Sequence, residues 1–382
     1  MRRSTAVALA AGVLGAAALG AGPASAHAGQ SPIVGHVYVN DNTAPANTIA
    51  GFDRHADGRL TPIPGSPFAT GGAGTGAGIG AQGALQEAGH GRYLLAADAG
   101  SNEISVLRIE RDGELDRVEH GTVGSGGSEP LSITVHGHLV YVANAGAGAS
   151  NYAGFAFSHG QLWRLPAATV ALPDTASPGD VLFNSTGTLL AGARVGSSQI
   201  DSFSVGTDGR LTPAAGSPFT AQGPGPFGSE FSPTDPTHLY VSNAHGGAGN
   251  GTVSAFRVSS DGTLNSIGSS PFADLQTAPC WVEITHDGRF LFTVNTASAT
   301  ISRYAINGDG SLTLLGSTPM SGGAGLGPFD ARLSPDGGTL WVVDDKANAV
   351  SGFAVSGGNL SELSSSPTPL PSGAAPFGVV VN

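Results

Sequence analysis

Asp208-Gly209-Arg210-Leu211-Thr212-Pro213, running on to Gly216-Ser217-Pro218-Phe219, is the stretch from which the fold can be read, because the chain repeats it. Its core, Asp-Gly-x-Leu, recurs at Asp57–Leu60, Asp112–Leu115, Asp261–Leu264 and Asp309–Leu312, with looser copies at His159–Leu162 and Gly357–Leu360. The seven copies are spaced by 55, 47, 49, 53, 48 and 48 residues. Asp-Gly suits a hairpin turn because glycine accepts the positive φ such turns need. Self-similarity at this period belongs to solenoids and propellers.

Each copy has the same surroundings. Upstream lies a stretch ending in an aromatic or apolar residue, such as Ile200–Phe203 or Val253–Phe256. Further upstream lies an apolar run that ends in Asn or Asp, as in Tyr141-Val142-Ala143-Asn144 and Trp341-Val342-Val343-Asp344. Downstream comes a Gly-Ser-Pro-Phe tail, seen at Gly65–Phe68 and Gly216–Phe219 and more loosely at Ser269–Phe272 and Ser317–Met320. These segments are β-branched, aromatic and bounded by Gly, Pro, Asn and Asp, so each unit reads as four short strands. Four strands per unit of about fifty residues predicts an all-β, seven-bladed β-propeller with antiparallel blades.

The two ends of the chain predict ring closure. Gly35-His36-Val37-Tyr38-Val39-Asn40 is a second strand that lacks a first, and Pro376–Asn382 matches the first strands Pro226–Phe231 and Pro328–Leu333. One blade shared by both termini removes the free sheet edge that would otherwise invite aggregation. The 60 glycines and 25 prolines fall between strands rather than in a low-complexity tract. Residues 27–382 therefore read as a single domain, with the Gly-rich, uncharged stretch 70–82 as a loose loop.

Residues 1–26 read as a cleaved signal peptide: Arg2-Arg3, an Ala-rich apolar run, then Ala24-Ser25-Ala26. This predicts a secreted, extracellular protein. No other segment suits a membrane span. Cys280 is the lone cysteine, which excludes an internal disulfide, and its place beside Trp281 predicts burial. The net charge of −12 argues against nucleic acid and anionic membranes as partners. A closed propeller needs no second copy for stability, so a monomer is expected.

Alignment of the first strands on their opening proline places function. Positions three and five after it are mostly apolar (Val181 and Phe183, Val282 and Ile284) and should pack between blades. Positions two and four face the axis, because side chains alternate along a strand. Blades four to seven there bring Asp180, Glu230, Trp281, Glu283, Asp330 and Arg332, while the other blades bring small or neutral groups. This predicts an acidic arc with one Arg, opposite space for a small-molecule or carbohydrate ligand. Three accounts of the arc stand side by side. It is a solvated channel wall, a site for Ca2+ among converging oxygens, or a hydrolytic centre. In the last, paired carboxylates raise each other's pKa so that Glu230 or Glu283 serves as general base, and Arg332 stabilises an oxyanion.

The pattern Ser334-Pro335-Asp336-Gly337-Gly338-Thr339-Leu340-Trp341-Val342-Val343-Asp344, with Val350-Ser351-Gly352-Phe353 and the repeat quoted first, resembles the lactonase-type seven-bladed propeller family. That family includes 6-phosphogluconolactonase-like proteins and carboxymuconate-lactonizing enzymes. The resemblance implies a lactone hydrolase that needs no cofactor. The phosphogluconolactonase-like pattern of Pro-Arg-His and Asn-Glu is replaced here by Pro226-Phe227-Gly228 and Asn295-Thr296. That departure, together with the scarcity of basic residues for a phosphate, points to an unphosphorylated lactone. Asp180, Asp330 and Trp281 in the wall, with Arg194, Lys346 and His245 in the loops between second and third strands, are the candidate substrate contacts. His90, His136, His138 and His286 fall in turns of the opposite face. The competing function is a non-catalytic propeller that binds a glycan, a cell-wall component or a protein.

Overall fold

All seven turn glycines (58, 113, 160, 209, 262, 310 and 358) have φ between +76° and +87° in the computed structural model, the region a side chain disfavours. In five of the turns the aspartate oxygen accepts the amide two residues on, as from Arg210 to Asp208 at 3.1 Å. The structure describes Met1 and residues 31–382, so the proposed signal peptide lies outside the described residues.

Seven antiparallel sheets follow one another, each with at least four strands, and among the described residues helix is limited to two short 3-10 turns. The innermost strands are Leu85–Ala88, Pro130–His136, Pro178–Phe183, Pro226–Phe231, Pro279–Ile284, Pro328–Leu333 and Val379–Val381. The last belongs to blade one: Val37, Tyr38 and Val39 pair with Val381, Val380 and Val379. The predicted closure by both termini is therefore present. The apolar positions between blades are buried, with Val181, Val282, Ile284 and Val379 each at 1 % exposure or less.

The Gly-Ser-Pro-Phe tail has a physical explanation. In blades one, four, five and seven it splits the outer strand in two, and its serine hydroxyl accepts the third-strand amide left without a backbone partner. These bonds run from Gly51 to Ser66, Ala255 to Ser270, Ser202 to Ser217 and Gly352 to Ser366, at 2.7–3.1 Å. Blade six has no Ser-Pro step at that point, and its outer strand runs unbroken over Leu312–Pro319. Ser317–Met320 is thus not a copy of the tail, although Ser269–Phe272 is.

The Asn or Asp that ends a second strand closes the hairpin to the third. It bonds a residue seven positions on in five blades, for example Asn144 with Asn151 and Ser351 with Asp344, and in blade four Arg194 does the same with Asp201. In blade five the loop is longer, and Asn243 reaches Ser254 instead. Blades are also stapled to their neighbours: the hydroxyls of Tyr38, Tyr141 and Tyr240 donate to the carbonyls of turn glycines Gly113, Gly209 and Gly310 in the next blade.

Candidate functional site in the central channel

An innermost strand is an edge strand, so its channel-facing amides lack a ladder partner. The polar residues predicted to line the channel meet that need. Ser132 accepts from Val181 at 3.1 Å, Thr134 from Phe183 at 3.0 Å, Asp180 from Ser229 at 3.0 Å and Glu283 from Leu333 at 2.8 Å. The neighbouring amides of Ile284 and Val379 favour the charged forms of Glu230 and Asp330 in the same sense. Each acceptor therefore clasps the following blade, and the arc is part of the ring's closure. Sequence alignment found these residues but not this purpose, because register between blades is a tertiary property.

The channel is not open along its length. Residues 70–82 are expected from sequence as a loose loop. Instead they cross the axis from the upper side, the side of the loops between second and third strands. Gln82 donates its backbone amide to Gly179 of blade four at 3.1 Å and its side chain reaches blades five and six. The indole of Trp281 donates to the Ala81 carbonyl at 2.9 Å, and Gly83 donates to Asp330 at 3.1 Å. The predicted space opposite the acids is thus filled by the chain itself in the upper half. Asp180 is buried, with both oxygens engaged by Ser132 and Ser229, and its burial pushes its carboxyl up to about 7. Trp281 is 1 % exposed.

Below that plug lies a second tier: Glu230, Glu283 and Arg332. Arg332 donates to Glu283 at 3.3 Å. Burial raises the Glu283 carboxyl, while Arg332 and the Leu333 amide oppose the rise. Glu230 is raised well above the ordinary range, first by burial and then by the charge of Glu283, and its Oε2 has no hydrogen-bond partner. Arg332 loses solvation too, but Glu283, Asp330 and Glu230 outweigh that and hold its guanidinium protonated. The arrangement is a pair of carboxyls that disfavours a double charge, beside one fixed cation.

Arg332 opens into a groove of about 220 Å³ at the lower mouth, with Gln86, Glu87, His286 and Val380 on its walls. Glu87 was not singled out from sequence. It lies one residue beyond the aligned position on a strand placed by spacing alone, and its carboxyl is raised by burial. A larger groove, about 390 Å³, lies between blades two and three on the same face, where Tyr93 and Phe157 meet edge to face at 5.6 Å beneath His90, His138 and His159.

The remaining candidates stand apart from this tier. Arg194 ends its second strand, where other blades carry Asn or Asp, and its guanidinium bonds both oxygens of Asp201 at 2.6 Å. Tyr152 also donates to Asp201. Arg194, expected among the substrate contacts, is 9 % exposed and performs with Asp201 the hairpin closure that Asn–Asn, Asn–Ser and Asp–Ser pairs perform elsewhere. The strand-end position itself was the available signal. Lys346 is exposed on the upper rim over Gly327. His245 is also exposed and leans on Gly225. Cys280 is buried, which pushes its thiol up to about 11. Among the described residues no three His, Cys, Asp or Glu side chains are grouped to hold a metal ion. The channel carboxylates point at amides, serines and Arg332, a donor set that does not fit Ca2+. No helix among the described residues is long and apolar enough to cross a membrane.

Comparison with known proteins agrees with this architecture. The family described as lactonase, 7-bladed beta-propeller matches residues 196–376, which span blades four to seven. Over those residues the chain is similar to that family, and its seven-bladed architecture agrees with the description. Solved structures share the fold. A candidate 6-phosphogluconolactonase from Bacteroides fragilis superposes with a TM-score of 0.71 at 19% identity, over 91% of this chain and 98% of that one. A second from Bacteroides uniformis gives 0.71 and 19%, over 91% and 99%. The periplasmic gluconolactonase of Pseudomonas aeruginosa gives 0.69 at 16%, over 91% and 98%. No curated protein sequence matches.

Proposed function

We propose that the protein is an exported, monomeric hydrolase of unphosphorylated lactones or related cyclic esters, acting at the lower mouth of the channel. The family match supports the reaction class, and one observation carries the site: Glu230 keeps a buried, unpartnered carboxyl oxygen beside Glu283 and Arg332. In this reading the pair holds one proton, on Glu230. The ionised Glu283 takes a proton from water as its oxygen bonds to the lactone carbonyl carbon. Arg332 balances the negative charge that develops on the carbonyl oxygen. Glu230 gives its proton to the ring oxygen as the C–O bond breaks, and the proton gained by Glu283 then restores the pair. Neither step needs a metal or an organic cofactor.

A second reading, a binding propeller for a glycan, draws on the groove floored by Tyr93 and Phe157, since aromatic faces with polar rims suit sugar rings. One experiment separates the two. Hydrolysis of a lactone panel is followed by pH-stat for the wild type, Glu230→Gln and Glu283→Gln. The hydrolase reading expects both variants to lose about a hundredfold in kcat with their folding intact. Equal turnover in all three removes the proposed pair. Absence of turnover by the wild type, with glycan binding lost in Tyr93→Ala, favours the second reading.

A further inference from the structure

Gln82 occupies a position where blade five supplies no side chain. At the corresponding upper-tier position blades three and four present Ser132 and Asp180 as acceptors for the next blade, whereas blade five has Gly228. A Cβ on Gly228 would collide with Gln82 Oε1. That oxygen accepts the Val282 amide at 3.3 Å, and Nε2 donates to the carbonyls of Ser229 at 3.0 Å and Val282 at 3.3 Å. A neutral amide thus answers three backbone groups at the centre of the ring. The segment that delivers it is uncharged and has seven glycines among residues 71–83. Glycine loses the most backbone freedom on ordering, so such a segment is costly to hold in place.

We propose that the upper channel is a ligand site, closed here by the chain's own residues 77–83, and that its ligand is a neutral amide-bearing molecule of N-acyl or peptide-like chemistry that displaces Gln82. The ligand amide takes over the three hydrogen bonds. Its apolar part lies on the half-buried rings of Phe227 and Phe329, whose centroids are 5.4 Å and 4.9 Å from that of Trp281. The buried Asp180 and Asp330 disfavour an anion there. This site is separate from the carboxyl pair at the lower mouth and does not depend on hydrolysis.

The test uses Gln82→Ala, which empties the amide slot while leaving the segment in place. Thermal denaturation and Trp fluorescence are followed against N-acetylglycinamide, propionamide and, as an anionic control of similar shape, propionate. The proposal expects both amides to raise Tm of the variant and propionate to leave it unchanged. It expects the wild type, with its tethered competitor, to respond only at roughly tenfold higher concentration. Failure of both amides to stabilise Gln82→Ala, or equal stabilisation by propionate, overturns the proposal. Should Gln82→Ala not fold, limited proteolysis of the wild type decides. Cleavage within 71–83 that increases with amide and not with propionate supports displacement, and cleavage indifferent to amide overturns it.

Discussion

The two halves of the channel are built from the same strands and the same kind of residue, yet they differ in what is left over. In the upper half every polar group named here has a partner: Asp180 with two serines, Asp330 with Gly83, Trp281 with Ala81. In the lower half Glu230 keeps an unanswered oxygen, and Arg332 retains 25 % of its side-chain surface beside an open groove. Buried carboxylates therefore do not by themselves mark a catalytic centre. Unspent bonding capacity next to accessible space does.

The comparison can be broken most forcefully at Arg332. Arg332→Ala leaves Glu283, Asp330 and Glu230 without their cation, and a loss of about 3 kcal/mol is expected from denaturant unfolding at neutral pH, less at pH 4, where the carboxyls are protonated. An equal loss at both pH values would show that packing and not charge is at stake. Arg194→Ala strands Asp201 in the same way, with an expected cost of about 2–3 kcal/mol, but with KM and kcat unchanged, since its fork is spent on blade four. A rise in KM would return Arg194 to the substrate.

A pH series tests Asp180 together with buried aspartates outside the channel. Burial raises Asp41, Asp180 and Asp344 to about 7 and Asp274 to about 6. A carboxyl whose folded pKa is raised binds its proton more tightly in the native state. Its stabilisation is complete below pH 4 and is lost as pH climbs through the folded value. Stability is accordingly expected to fall between pH 4 and 7, by on the order of 2 kcal/mol, and Asp180→Asn is expected to flatten part of that slope. A stability that rises over this window would refute the assignment. The smallest effect is expected far from the axis: Ser217→Ala or Ser366→Ala leaves one third-strand amide unanswered, at about 1 kcal/mol each, whereas Ser317→Ala in the unbroken outer strand of blade six is expected to cost less.

Much of the fold is legible in the sequence. Asp-Gly-x-Leu fixes seven turns because only a positive φ fits there, and the valines of the last segment complete the blade begun by Tyr38 because both are half of one pattern. Alternation along a strand put Glu230, Glu283 and Arg332 on the axis. Gln82 could not be read in this way. It lies in an aperiodic Gly-rich stretch, and its partners Ser229 and Val282 are 147 and 200 residues away. The pairing of Arg194 with Asp201 follows from its strand-end position, which its charge alone does not reveal.

What the sequence determined by itself is local and periodic: turn conformation, strand count, blade number, closure, and which residues face the axis. Each follows from backbone sterics and from alternation, which act over a few residues. What only the tertiary structure decided is how each axial group is spent. An edge amide of one blade meets an acceptor from the blade before it, and the gap at Gly228 meets a side chain from a segment that joins blades one and two. Those encounters depend on the register between sheets and on the path of an irregular connection, and no periodicity in the chain encodes either.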